Sequence, residues 1–151
     1  MKGDPRNTQV IAYLTARGGT LGRLTEPPAS PPDPYLGRGS HPDIVERLWN
    51  ALNPCLPRDC RLIFCGTPAL VHPACGVVFG LAIGTQYALR LPEPLLDEEL
   101  TAGAHTGTRW SGGGELDTRR DLGPDWVLGA WLEAEPEWCR CTYAALAEEA
   151  P

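Results

Sequence analysis

Three stretches of the 151-residue sequence predict an α+β domain, with a small, mainly antiparallel sheet of about four strands covered by two helices. Residues 42–52 carry an apolar stripe at helical spacing. Residues 76–91 alternate bulky and small side chains around a glycine turn, and residues 136–149 carry a second helical stripe. The composition, 42% apolar and 21% charged, is that of an ordinary globular chain. A chain of this length buries roughly 70% of its unfolded surface, enough for one core without staples.

Residues 8–17 read as a short helix with Val10, Ile11 and Leu14 on one side, or as a strand, because Val, Ile, Tyr and Thr all favour strands. Residues 18–40 hold five Gly and five Pro, among them Pro31-Pro32-Asp33-Pro34, which marks an extended linker of polyproline character. Residues 1–39 are therefore expected to form a proline-rich arm, and residues 40–151 a single globular domain.

Ser40 is placed to cap a helix over 42–52, with Asp43 favourable in its first turn. Ile44, Val45, Leu48, Trp49 and Leu52 fall within an arc of about 140°, so one face packs on the sheet. Pro54 and Pro57 end the helix and lead to 61–65, Arg-Leu-Ile-Phe-Cys, a buried strand by length and content.

In 76–84 the odd positions Val77, Phe79, Leu81 and Ile83 are bulky, and the even positions Gly76, Val78, Gly80, Ala82 and Gly84 are small. A second strand at 86–91 completes a hairpin. A two-residue loop of Gly84 and Thr85 pairs Ile83 with Gln86, Ala82 with Tyr87 and Gly80 with Leu89. A loop including Gln86 would instead gather the bulk on one face and leave a shallow floor carrying Arg90. The first register is expected, because each small residue then faces a large one.

Residues 92–125 hold six Gly and at most a helical turn or two near 94–101, a long connection of the kind that is usually functional or mobile. A final strand at 126–131 precedes the helix opened by Pro136, whose apolar face joins the cover of the sheet.

Twelve of the thirteen cationic residues are Arg, the one Lys being Lys2, a ratio expected of a GC-rich bacterial coding sequence. It excludes a Walker phosphate loop, a Schiff-base enzyme and a nuclease that needs a positioned lysine. The net charge of −6 is unevenly spread, with nine Lys and Arg against six Asp and Glu up to Leu91, and four against thirteen beyond it. An acidic chain without a basic cluster does not suit direct electrostatic nucleic-acid binding. No apolar run is long enough for a signal peptide or a membrane span, so a cytoplasmic protein with no membrane partner is expected.

The six cysteines, Cys55, Cys60, Cys65, Cys75, Cys139 and Cys141, lack the close pairs of a zinc site, and Cys139 and Cys141 point about 160° apart on a helix. They are expected to be structural thiols, with zinc binding as the alternative. No catalytic set, metal ligand set or cofactor motif stands out. Ser111, in Arg109-Trp110-Ser111-Gly112-Gly113, lacks the glycine that precedes a nucleophile elbow, and His72 and Cys75 are sequence neighbours rather than an oriented pair.

Two candidate surfaces remain. The acidic loop carries Trp110 beside Arg109, with Asp117, Arg119, Arg120 and Asp121 following, a set suited to anchoring a protein partner or clamping an anion. His72, Cys75, Arg90 and His105 would instead line a small-ligand or enzymatic pocket at the end of the sheet. The missing catalytic constellation favours a non-enzymatic interaction protein of adaptor or immunity type, with the pocket as the alternative.

Overall fold

The computed structural model describes residues 5–16, 24–25, 42–52, 57, 60–84, 86–106 and 116–149. The fold is α+β. Its sheet is an antiparallel meander in chain order, β1 (Leu24–Thr25), β2 (Arg61–Phe64), β3 (Thr67–Val71), β4 (Val78–Ile83), β5 (Gln86–Arg90) and β6 (Trp126–Leu128). Five strands make up its body, and the two residues of β1 pair with β2 at its edge. The helices are α1 (Thr8–Ala16), α2 (Pro42–Glu46), α3 (Glu93–Thr101), α4 (Thr118–Asp121) and α5 (Glu135–Glu149).

Two strands are absent from the sequence reading, the two-residue β1, which falls in the expected arm, and β3. Strand β3 is the longer of them. It joins β2 through Cys65 and Gly66, both at positive φ (52° and 80°), the condition of a type I′ hairpin turn that leaves Phe64 opposite Thr67. Such turns are usually announced by Asn-Gly or Asp-Gly. Here a buried cysteine takes the first left-handed position, and Pro68 sits near the start of the strand, where the lost amide is tolerated.

The β4–β5 hairpin has the space-filling register, with Ile83 opposite Gln86, Ala82 opposite Tyr87 and Gly80 opposite Leu89. The regular alternation expected over 76–83 is broken, however. Leu70 pairs with Gly80 but Val71 pairs with Val78, so Phe79 is an extra residue on β4, a β-bulge. As a result Val77, Phe79 and Ala82 enter one core cluster with Tyr87 and Leu89, while Val78, Leu81 and Ile83 enter the other. Gly80 lies on the first face, where a Cβ would come within 3.0 Å of Leu48 and Leu70 side-chain atoms.

That first face is covered as expected, by Ile44, Val45, Leu48 and Trp49 from one helix and by Trp138, Cys139 and Leu146 of α5, with Leu96 of α3 beside them. The 42–52 helix changes pitch midway. Residues 47–51 form a π-turn closed by Leu52 N–H donating to Arg47 O at 2.9 Å. The opposite face is covered by α1, through Val10 and Leu14, and by Leu116 and Leu122 flanking α4. Residues 5–16 thus belong to the packed unit. Asn7, in the 3₁₀ turn before α1, is buried, donating from Nδ2 to Gly76 O (2.8 Å) and accepting from Val78 N–H (2.9 Å). The expected 126–131 strand ends at Leu128, and no helix among the described residues is long and apolar enough to cross a membrane.

Candidate functional site

Beyond β6 the chain turns through residues 129–134, and this turn carries the large apolar side chains that are exposed among the described residues, Trp131 (56% exposed) and Leu132 (43%). It is rigidly built from beneath. Glu135, the first residue of α5, is fully buried; its Oε1 accepts from Arg47 Nη2 at 2.8 Å and from the Tyr87 hydroxyl, and its Oε2 accepts from Ala130 N–H at 2.8 Å. Arg47 Nη2 also donates to Leu132 O at 2.9 Å, and Trp131 N–H donates to the Tyr87 hydroxyl at 2.8 Å. Gly129 is confined to glycine, because a Cβ there would lie 1.9 Å from the Tyr87 ring.

The electrostatics follow from this packing. Burial, and then the hydrogen bond to Glu135, push the Tyr87 hydroxyl far above the usual phenol range, so it stays protonated and donates to the carboxylate. Burial works against the Arg47 charge, but the bonds to Glu135 and Tyr87 outweigh it and raise the guanidinium further. The paired guanidinium lies 5.3 Å from the centroid of the Trp131 ring, which meets Tyr87 edge-on at 5.7 Å and 88°. Trp131 itself has φ of 58°, in the left-handed region, where a bulky side chain costs roughly 1–2 kcal/mol. A strained tryptophan is thus held out into solvent by six hydrogen bonds that meet on Glu135, Tyr87 and Arg47, the sixth from Arg47 Nε to the Tyr87 hydroxyl at 3.3 Å.

The residues singled out in the sequence are distributed elsewhere. Arg90 is buried on the α1 face, its Nε donating to Val78 O at 2.9 Å, Nη2 to Arg6 O at 3.1 Å, and Nη1 lying 3.6 Å from Asp125, with the guanidinium 4.9 Å above Trp126. His72 lies on the other face, stacked on Tyr143 of α5 at 4.5 Å, with Nδ1 accepting from Ala74 N–H of its own turn. Cys75 is in that turn, half-buried against the same cluster, and His105 is exposed, its carbonyl accepting from Leu128 N–H at the edge of β6. Arg90 and His72 are therefore separated by the sheet.

Asp117 caps α4 by accepting from Arg119 and Arg120 N–H, and Arg120 pairs with Asp121 through two hydrogen bonds of 2.9 and 3.0 Å. That pairing holds the Asp121 carboxyl below its usual range. Arg109, Trp110 and Ser111 lie outside the described residues, as do Ser40 and Cys55. Cys75, Cys139 and Cys141 are free thiols, Cys60 and Cys65 are buried, and among the described residues no group of three or more His, Cys, Asp or Glu could hold a metal. Burial pushes the Cys139 thiol up to about 12, which makes it inert.

The sequence reading passed over Trp131 because it stood at the end of an expected strand. The available signal was Gly129 inside the expected strand, followed by a tryptophan that, like Trp110, no predicted apolar face accounted for. Neither a family model, nor a curated protein, nor a solved structure matches this chain.

Proposed function

We propose that the protein is a non-enzymatic interaction protein that docks a basic, apolar-pocketed protein surface onto Trp131 and Leu132. The observation that carries this reading is the strained, exposed Trp131 on a turn braced by a fully buried carboxylate. Strain of this kind is retained where a gain outside the isolated fold offsets it, and a rigid exposed tryptophan loses little entropy on binding. The charge of the partner follows from the surroundings. Arg47 is committed to Glu135, whereas Glu133 and Glu46 are exposed, in a chain of net charge −6. The proline-rich arm and the loop bearing Trp110 are proposed to extend this contact. The free thiols of Cys75, Cys139 and Cys141 suit a reducing, cytoplasmic setting.

Selection of displayed random peptides against the protein, with Trp131→Ala as a parallel target, tests the reading. Enriched peptides should pair Lys or Arg with bulky apolar residues and lose about tenfold or more in affinity for the variant. Enrichment of acidic peptides, or equal binding to both targets, overturns it.

A further inference from the structure

The sheet face opposite His72 and Tyr143 has an apolar floor of Val78, Leu81, Ile83, Ala88, Trp126 and Leu128, each held in its strand, and α1 closes it. The footing of α1 is small. In its nine residues Val10 and Leu14 are fully buried, with Ile11 and Tyr13 half-buried beside them, and Thr8, Gln9, Ala12, Thr15 and Ala16 are exposed. Helices shorter than about 12–15 residues are marginal in water by themselves, so α1 is helical because the floor holds it.

Hydrogen bonds tie the start of the helix to the body. Asn7 spans Gly76 O and Val78 N–H, Arg90 Nη2 donates to Arg6 O at 3.1 Å, and Gln9 Nε2 donates to Arg120 O at 2.8 Å. Along one flank, between Gln9 and Ala12 on the helix and Leu122, Pro124 and Asp125 on the turn into β6, a cleft of about 540 Å³ opens. The helix is thus seated on the floor but not packed tightly against the neighbouring turn.

The floor and the backbone pair beside the Phe79 bulge make a groove with a polar address at one end. The segment that fits it carries an amide and then apolar side chains three and seven residues on, Asn7, Val10 and Leu14. Residues 5–16 hold one arginine and no acidic residue, whereas the whole chain has a net charge of −6, so charge favours the approach of this segment to another copy.

We propose that α1 is an exchangeable plug, and that its groove takes the same segment of a second copy of this chain. Such an exchange reuses the contacts of the closed monomer and requires no new complementary surface. Apolar anchors at helical spacing in a groove are a common mode of helix recognition, and the released segment folds again as it binds.

A dye-labelled peptide of residues 5–16 is titrated into the full chain and into its Leu14→Ala variant, and followed by fluorescence anisotropy. Apparent affinity scales with the fraction of open groove, so a weakened resident helix should tighten peptide binding about tenfold, whereas Leu14→Ala in the peptide should weaken it about tenfold or more. Hydrogen exchange on the unaltered chain gives a second measurement that does not depend on the folding of the variant. The Val78 amide should exchange together with the α1 amides, through an opening that requires less free energy than global unfolding. Sedimentation of the concentrated full chain, with reductant present, should show a dimer that excess peptide returns to monomer. The proposal is overturned by equal binding of the two peptides to the unaltered chain, by exchange of Val78 and α1 only through global unfolding, or by a chain that is monomeric at every concentration. Trp131 packs on Tyr87, on the other face of the sheet, so none of these outcomes bears on the partner proposed for it.

Discussion

At the scale of single residues, Glu135 shows how a buried charge is made tolerable. A carboxylate with no exposed surface would be costly alone, yet it accepts from a guanidinium, a phenol and a backbone amide at once. Glu135→Ala leaves Arg47 and the Tyr87 hydroxyl short of their acceptor, and should cost about 3 kcal/mol in urea denaturation, with Glu135→Gln costing less. Gly129→Ala should be at least as damaging, because the added carbon would overlap the Tyr87 ring. Titration adds a pH dependence. The folded state keeps Cys139 and Tyr87 protonated beyond the ordinary values of 9.0 and 10.0, so above those values the unfolded chain binds fewer protons. Stability should therefore be full below about pH 9 and fall as pH rises, with a slope of up to about 1.4 kcal/mol per pH unit for each group. Cys139→Ala should remove the earlier part of that fall, read from denaturation midpoints between pH 8 and about 11.

At the scale of elements, the bulge at Phe79 and the 3₁₀ turn carrying Asn7 act together. The bulge disrupts the ladder near Val78, and the Asn7 side-chain amide takes the place of a strand there, satisfying Gly76 O and Val78 N–H. Asn7→Ala should cost about 2–3 kcal/mol, since two buried backbone groups lose their partner, whereas Asn7→Asp, which keeps only the acceptor, should recover part of it. Calorimetry of both variants distinguishes this from a simple loss of packing. The two helices over 42–52 and 135–149 were legible in the sequence because their apolar stripes follow the helical period. The β3 strand was not, because a Cys-Gly turn and a proline near its start imitate a loop, and the left-handed φ of Cys65 is imposed by the neighbouring strands.

At the scale of the whole molecule, the sheet has two faces to cover, and the long amphipathic helices cover one. The other holds Val78, Leu81, Ile83 and Trp126, and is closed by Val10 and Leu14 from a nine-residue helix. Removal of residues 1–16 should expose this apolar face, which the binding of a hydrophobic dye and a loss of cooperative unfolding would report. Normal cooperative melting of the shortened chain would mean that the face is covered in another way. Arg90 ties the same layers together, donating to β4 and to the turn before α1 while Thr142 of α5 donates to its carbonyl at 2.8 Å from the far side.

Periodicity is local, so the sequence by itself determined the α+β class, the two helices on one face and the hairpin register in which Gly80 and Ala82 face Leu89 and Tyr87. The tertiary structure decided what depends on residues far apart in the chain. It put Arg90 and His72 on opposite faces of the sheet, gave α1 a face to cover, and turned the last residue of an expected strand into an exposed tryptophan. The physical reason is that Arg47, Tyr87 and Glu135 lie 40 and 48 positions apart in sequence, so the bonds that hold Trp131 outward exist only once the sheet and both its helices have come together.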